Sequence, residues 1–309
     1  MTLEEVRKMI IISLFADDEF YERFVLKGGN ALLIHNINKR ASVDIDVSMS
    51  NSFNEQEIEW VRAKLEQTLD ETFKRKGHAV IDVTLNKKPK NMPPEKEKFW
   101  GGYKLEFKIV SLENKQRLEN GEIEKNILRQ LALESGDIGK KTFKVDISNY
   151  EFCERKVEVE VDGFPIYVYT PIVIIYEKLR AICQQQKEYE EIVKTNLRPR
   201  PKDFFDIFTI MEEHGQLNLN IKEEIYQEKN LKDLVEIFSL KKVPLDFLIN
   251  IEEYREFHRE EYAAVKDTVS PDVKIESFDF YFDYTLKLAH NLVDELINLN
   301  MMGSTFANA

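Results

Sequence analysis

Residues 27 to 46 run Lys-Gly-Gly-Asn-Ala-Leu-Leu-Ile-His-Asn-Ile-Asn-Lys-Arg-Ala-Ser-Val-Asp-Ile-Asp. No other stretch of the chain limits the possible folds as much. A Gly28-Gly29 turn opens a short apolar run, and further on Asp44 and Asp46 alternate with Val43, Ile45 and Val47. Alternation with period two predicts a strand, on which residues two apart share a face. Asp44 and Asp46 then project side by side while Val43, Ile45 and Val47 enter the core. Two carboxylates that close repel unless a cation lies between them. A hard divalent ion such as Mg²⁺, carrying nucleotide phosphates, is the natural occupant. Gly28 and Gly29 let backbone N–H groups approach a phosphate, with a helix beginning at Asn30 or Ala31.

Each element alone has an ordinary explanation. Asp-x-Asp is often the solvated face of an edge strand, and Gly-Gly is often only a turn. In this order and at this distance they resemble the nucleotidyltransferase fold of the DNA polymerase β type. Such a site calls for a third carboxylate on a neighbouring strand. In the segment ending at Ser148, Phe143, Val145 and Ile147 alternate with Lys144, Asp146 and Ser148, which places Asp146 on a polar face. Outside that context Asp146 reads as an ordinary solvent-facing Asp.

The chain of 309 residues has room for one large domain or two ordinary ones, and a 43% apolar fraction with 20 Phe and 12 Tyr supplies a core. Its net charge of −12 argues against broad nucleic-acid coating, although a local basic groove remains compatible with it. Cys153 and Cys183 are too few and too far apart for a disulfide scaffold, which points to a reducing cytoplasm. No apolar run approaches the ~20 residues of a membrane span. His35, His78, His214, His258 and His290 show no metal-ligand spacing.

The pattern predicts an α+β chain: a mixed-sheet domain over 1–169 and an all-helical domain over 170–309. A first helix is expected from Thr2 to Phe24. Asn54 and Glu57 are expected to cap a helix running to Lys76, and strands are expected over 79–85, 100–110, 156–161 and 165–168. A helix over 114–135 should break at Gly121. Thr170-Pro171 reads as a cap followed by the first helical residue. Beyond it helices are expected at 172–186, 202–214, 221–227, 231–239, 245–264 and 278–299.

A second cluster opens the helical half. Lys178 lies in Tyr-Glu-Lys-Leu-Arg-Ala-Ile-Cys, and Arg198-Pro-Arg-Pro-Lys-Asp203-Phe-Phe-Asp206 follows. Asp203 and Asp206 are i and i+3 on a helix and share a face. Singly, Lys178 reads as an exposed helix lysine and Asp203 as a complement to the helix dipole. Arg198, Arg200 and Lys202, stiffened by Pro199 and Pro201, suit a triphosphate or an RNA backbone. Lys87, Lys88, Lys90, Lys96 and Lys98 in one loop either hold RNA or merely solubilise the loop.

Lys-Gly-Gly-Asn-Ala-Leu, then Arg40-x-Ser42-x-Asp44-x-Asp46, then Glu177-Lys178-Leu179-x-Ala181, then Arg200-x-Lys202-Asp203-x-x-Asp206 resembles the AbiEii/AbiGii nucleotidyltransferase toxins. These motifs span residues 27 to 208. Asn30 stands where relatives often carry Thr or another small polar residue. The resemblance implies a nucleotidyltransferase toxin of a bacterial toxin–antitoxin or abortive-infection pair, active in phage defence. It would transfer NMP from an NTP, with Mg²⁺, to an acceptor for which tRNA is the leading candidate, and a separate antitoxin protein would restrain it. On this chain Gly28 and Gly29, with Asn30, would hold phosphates; Asp44 and Asp46 would bind Mg²⁺; Arg40 and Ser42 would orient phosphate or the Asp pair. Lys178 would contact the triphosphate, Asp203 or Asp206 would complete the site, and Arg200 and Lys202 would add positive charge. Asp146, read from the strand pattern, would serve as a further metal ligand or general base. The nucleotide is expected where the two halves meet. Two other readings compete: a nucleotidyltransferase antitoxin modifying a partner protein, whose chains are much shorter, and a catalytically inactive nucleotide-binding module, against which the intact Asp pair argues.

Overall fold

A computed structural model describes residues 1–37, 44–136, 139–194, 196–212, 220–271 and 273–302. The chain divides into two compact units, Met1–Asn30 with Val43–Val168, and Ala31–Ser42 with Tyr169–Ala309. The architecture is a mixed β-sheet domain followed by a helical region, as the pattern predicts.

The first unit is built on a seven-stranded sheet with the order β3-β4-β5-β2-β1-β7-β6. The strands are β1 (Val25–Lys27), β2 (Ile45–Ser48), β3 (His78–Lys88), β4 (Gly102–Ser111), β5 (Phe143–Ser148), β6 (Lys156–Val161) and β7 (Phe164–Tyr169). β3, β4 and β5 pair antiparallel, β5 and β2 parallel, β2 and β1 antiparallel, and β1 and β7 parallel. The alternation read from the sequence holds in β2 and β5: Ile45, Val47, Phe143, Val145 and Ile147 are buried while Asp46 and Asp146 stay partly open to solvent. Gly102 opens β4 where the two backbones press together, because a Cβ there would overlap the Ile147 carbonyl oxygen.

The helices of the N-terminal half are α1 (Leu3–Phe15), α2 (Asp18–Arg23), α3 (Gly28–Ile34), of which only Gly28–Asn30 belongs to the first unit, α4 (Ile58–Lys74), α5 (Leu112–Glu119) and α6 (Lys125–Gln130). Thr2 and Glu5 form a reciprocal capping box on α1. The expected helix from Thr2 to Phe24 is two helices, because the Asp17 carboxylate accepts from the Glu19 N–H and starts α2 afresh. Helix α4 begins later than expected. Glu57 does reach back to the Asn54 N–H (3.0 Å), but Ile58 is the first helical residue. Val61, Leu65, Leu69 and Phe73 make its buried stripe.

The second unit holds α7 (Pro171–Cys183), α8 (Tyr189–Ile192), α9 (Pro201–Glu212), α10 (Ile221–Glu224) and α11 (Glu228–Leu240), then a 3-10 helix (Leu245–Tyr254), α12 (Arg255–Arg259), α13 (Tyr262–Lys266) and α14 (Phe278–Asn298). Thr170 caps α7 by accepting from the Val173 N–H, with Pro171 in the first turn. The helix expected over 245–264 is three shorter pieces, the last entered through Glu261 at φ 62°. Aromatic faces join α9 to α14: Phe204 lies 5.1 Å from Phe282 and Phe205 lies 5.3 Å from Tyr281, centroid to centroid.

Candidate active site

The sheet unit gathers its charged candidates in one row. Register pairs Asp46 with Asp146 on the parallel β2–β5 ladder, Lys104 with Asp146 on β4, and Lys27 with Asp46 on β1. Residues in register share a face, so Lys104, Asp146, Asp46 and Lys27 cross four neighbouring strands as two carboxylates flanked by two cations. Each flank is itself anchored, Lys27 to the buried Glu151 (3.6 Å) and Lys104 to Glu106 (3.0 Å). Lys88, at the end of β3, donates to both oxygens of Asp146 at 2.9 and 3.0 Å.

Gly28 opens α3 with φ +67°, a conformation that costs any residue with a side chain. A Cβ there would lie 3.2 Å from Asp46 Oδ2, so the glycine leaves room for that carboxylate. Gly29 follows it in the same turn. Asn30 is buried, and its Nδ2 donates to the Asp44 carbonyl at 2.6 Å, tying the start of α3 to the start of β2. Asp44 is exposed and lies just before β2 rather than within it. Arg40 and Ser42 lie outside the described residues.

In the helical unit, Lys178 is 7% exposed, so the reading of it as an exposed helix lysine does not hold. Its amino group donates to Asp203 (2.9 Å) and Asp206 (2.6 Å), both buried. Arg200 extends the network, with Nε 2.5 Å from the other Asp203 oxygen. Burial by itself pushes the Asp203 carboxyl up, but Arg200 and Lys178 outweigh it and hold the group well below the usual carboxylate range. Lys202 is exposed on the opening turn of α9. The Arg200 backbone N–H donates to His258 Nδ1 at 3.2 Å. His258 is fully buried, and burial pushes its pKa down to about 4. A further buried chain runs along α7: Arg180 grips Glu177 with two nitrogens (2.8 and 3.2 Å) and reaches Gln184, which donates to Tyr189.

The chain matches, over residues 12–284, the family profile described as nucleotidyl transferase AbiEii toxin, type IV toxin–antitoxin system. It belongs to this AbiEii family. Solved structures give a weaker likeness. JHP933 from Helicobacter pylori is 16% identical, with 96% of this chain and 95% of that one covered at a TM-score of 0.48. The nucleotidyltransferase toxin MenT4 from Mycobacterium tuberculosis is 10% identical, with 95% and 92% covered at 0.40. No curated protein matches the chain.

An AbiEii enzyme is expected to use Mg²⁺, and the donors present fit one. Asp44 and Asp46 are hard oxygen ligands, and Mg²⁺ commonly takes one or two carboxylates plus substrate phosphates. Among the described residues no three His, Cys, Asp or Glu are grouped to hold a metal, and Asp146 is held by Lys88. Among the described residues no helix is long and apolar enough to cross a membrane. Sequence reasoning missed Lys104, which carries no motif and joins the row through register, Glu151, which joins it by its ion pair with Lys27, and His258, which accepts from the Arg200 N–H from 58 residues away.

Proposed function

We propose that this AbiEii toxin transfers NMP from an NTP to a hydroxyl of an RNA, with tRNA the preferred acceptor, in the cytoplasm and under the restraint of a cognate antitoxin protein. The observation that carries the reading is the row in which Asp46 and Asp146 stand side by side while Gly28 gives its side-chain space to Asp46. The acceptor oxygen bonds to the α-phosphorus, the bond from that phosphorus to the bridging oxygen breaks, and pyrophosphate leaves. Asp146, once released by Lys88, would take the hydroxyl proton. Mg²⁺ held by Asp44 and Asp46 would neutralise phosphate charge as it develops. Backbone N–H groups at Gly28 and Gly29 orient the phosphates.

Lys178, Asp203 and Asp206 enter as a buried ion network that fixes α9 against α7 and so presents Arg200 and Lys202 at the start of α9. Direct contact between Lys178 and a triphosphate requires its amino group to exchange one of its two carboxylates for a phosphate. Incubating the protein with each labelled NTP, Mg²⁺, total tRNA and candidate proteins tests the proposal. Label on tRNA, lost in Asp46→Asn, is the expected result. Label confined to protein overturns it.

A further inference from the structure

A cavity of about 550 Å³ opens at the edge of the sheet unit, between the loop after β2, the β3–β4 connection and the turn after β5. Its size is that of a small-ligand site, which spans roughly 300–1,000 Å³. Its lining is unlike a phosphate cradle. The charged residues around it are Lys87, Lys88, Glu55 and Glu97, two cations against two anions. Lys87 is paired with Glu55 at 2.7 Å, and Lys88 with Asp146. The rest of the lining includes the rings of Trp100 and Tyr150, amides such as Asn51 and Asn149, and the apolar Pro89 and Met92, with the buried Tyr103 beneath. Such a surface selects an uncharged, planar group with hydrogen-bonding edges, which is the description of a nucleobase.

The polar floor is built in advance. Asn149 Nδ2 donates to Ser52 Oγ (3.0 Å), Ser52 Oγ lies 2.8 Å from the Tyr103 hydroxyl, and that hydroxyl reaches the Phe53 carbonyl (3.2 Å). Three segments distant in sequence are locked together by this chain. Tyr150, on the wall, adopts φ +57°, a left-handed backbone that is costly for an aromatic residue and is held by its surroundings. Lys88 belongs both to the cavity and to Asp146, so the cavity opens beside the carboxylate assigned to the acceptor hydroxyl.

We infer that this cavity receives an unpaired nucleobase of the acceptor RNA. The inference rests on the proposal that the acceptor is RNA and adds where its base is held. The same chemistry could come from the base of the NTP, so the experiment measures the two ligands separately. Binding of a fluorescein-labelled single-stranded RNA hexamer is followed by anisotropy, and binding of an NTP by calorimetry, for wild-type protein, Trp100→Ala and Trp100→Phe. The expected result is an RNA Kd raised about tenfold in Trp100→Ala, as loss of one stacking ring implies, with an unchanged NTP Kd and near-wild-type RNA binding in Trp100→Phe. A weakened NTP Kd with intact RNA binding would assign the cavity to the nucleotide and overturn the inference. Equal RNA binding by wild type and Trp100→Ala would overturn it while leaving the RNA acceptor standing. Absence of RNA binding by the wild type, with label on protein alone, would remove the acceptor proposal and the inference together. Trp100→Phe guards against a folding artefact, since it keeps a ring in place.

Discussion

Asp46 and Asp146 are register partners on neighbouring parallel strands. Like charges directly across a ladder oppose folding, so this pair is held at a cost that Lys88, Lys104 and Lys27 partly offset. Asp46→Asn removes one charge and no volume. Transfer should fall by at least about a hundredfold, the scale of losing one charge-stabilising group, while the melting temperature stays level or rises. A radiolabel transfer assay beside calorimetry checks both. A soluble Asp46→Asn protein with full activity would refute the site.

Lys178→Met would take the shared ammonium away from two buried carboxylates, Asp203 and Asp206. Removing one partner of a buried ion network costs about 3–5 kcal/mol, whereas an exposed lysine would cost a small fraction of that. Lys178→Arg should recover only part of the loss, because a planar fork does not fit between Asp203 and Asp206 as a compact ammonium does. Urea denaturation gives the stability, and NTP KM measured on the folded fraction shows whether the amino group also touches phosphate.

His258 predicts a pH dependence. Its folded pKa of about 4 lies below the unfolded value near 6.5. The unfolded chain therefore binds the proton first, and stability present above about pH 6.5 is lost as pH falls toward 4. Protonation at Nδ1 would also remove the acceptor for the Arg200 N–H. Asp203 faces this histidine, and its own contribution begins to be lost below about pH 5, where the unfolded carboxyl starts to bind protons, so the His258 slope is read between about pH 6.5 and 5. His258→Asn, which keeps an acceptor near Nδ1, should flatten the melting temperature across that window relative to wild type. Parallel curves for the two proteins would refute the assignment.

Arg198 and Lys202 are the cleaner probes of RNA contact, because Arg200 Nε is already committed to Asp203. Arg198→Glu with Lys202→Glu should raise the acceptor KM, leave the NTP KM unchanged, and lessen the steep loss of RNA affinity with salt. Titrations at several salt concentrations decide it. An unchanged salt slope would assign those charges to solubility.

Legibility in the sequence followed the range of the interaction. β5 was readable because Phe143, Val145 and Ile147 alternate with polar residues, and the start of α7 because Thr170-Pro171 is a local cap. β1 was not, since Val25–Lys27 is too short for any period to register. The first helix was drawn too long because apolar spacing continues past Phe15, and only the Asp17 carboxylate interrupts it. Lys178 shows the same limit in the candidate site. Its partners lie 25 and 28 residues away, and no local pattern separates a solvated lysine from one enclosed by two carboxylates.

If the chain inhibits growth as its family's name implies, survivors can be selected, and Gly102 would colour that record. Where a Cβ would collide with the Ile147 carbonyl, every replacement is disruptive, whatever its charge. Escape alleles should therefore accumulate at this uncharged glycine as readily as at Asp46. They would differ in the lysate: the glycine alleles would be depleted from the supernatant, and the aspartate alleles would remain abundant and silent.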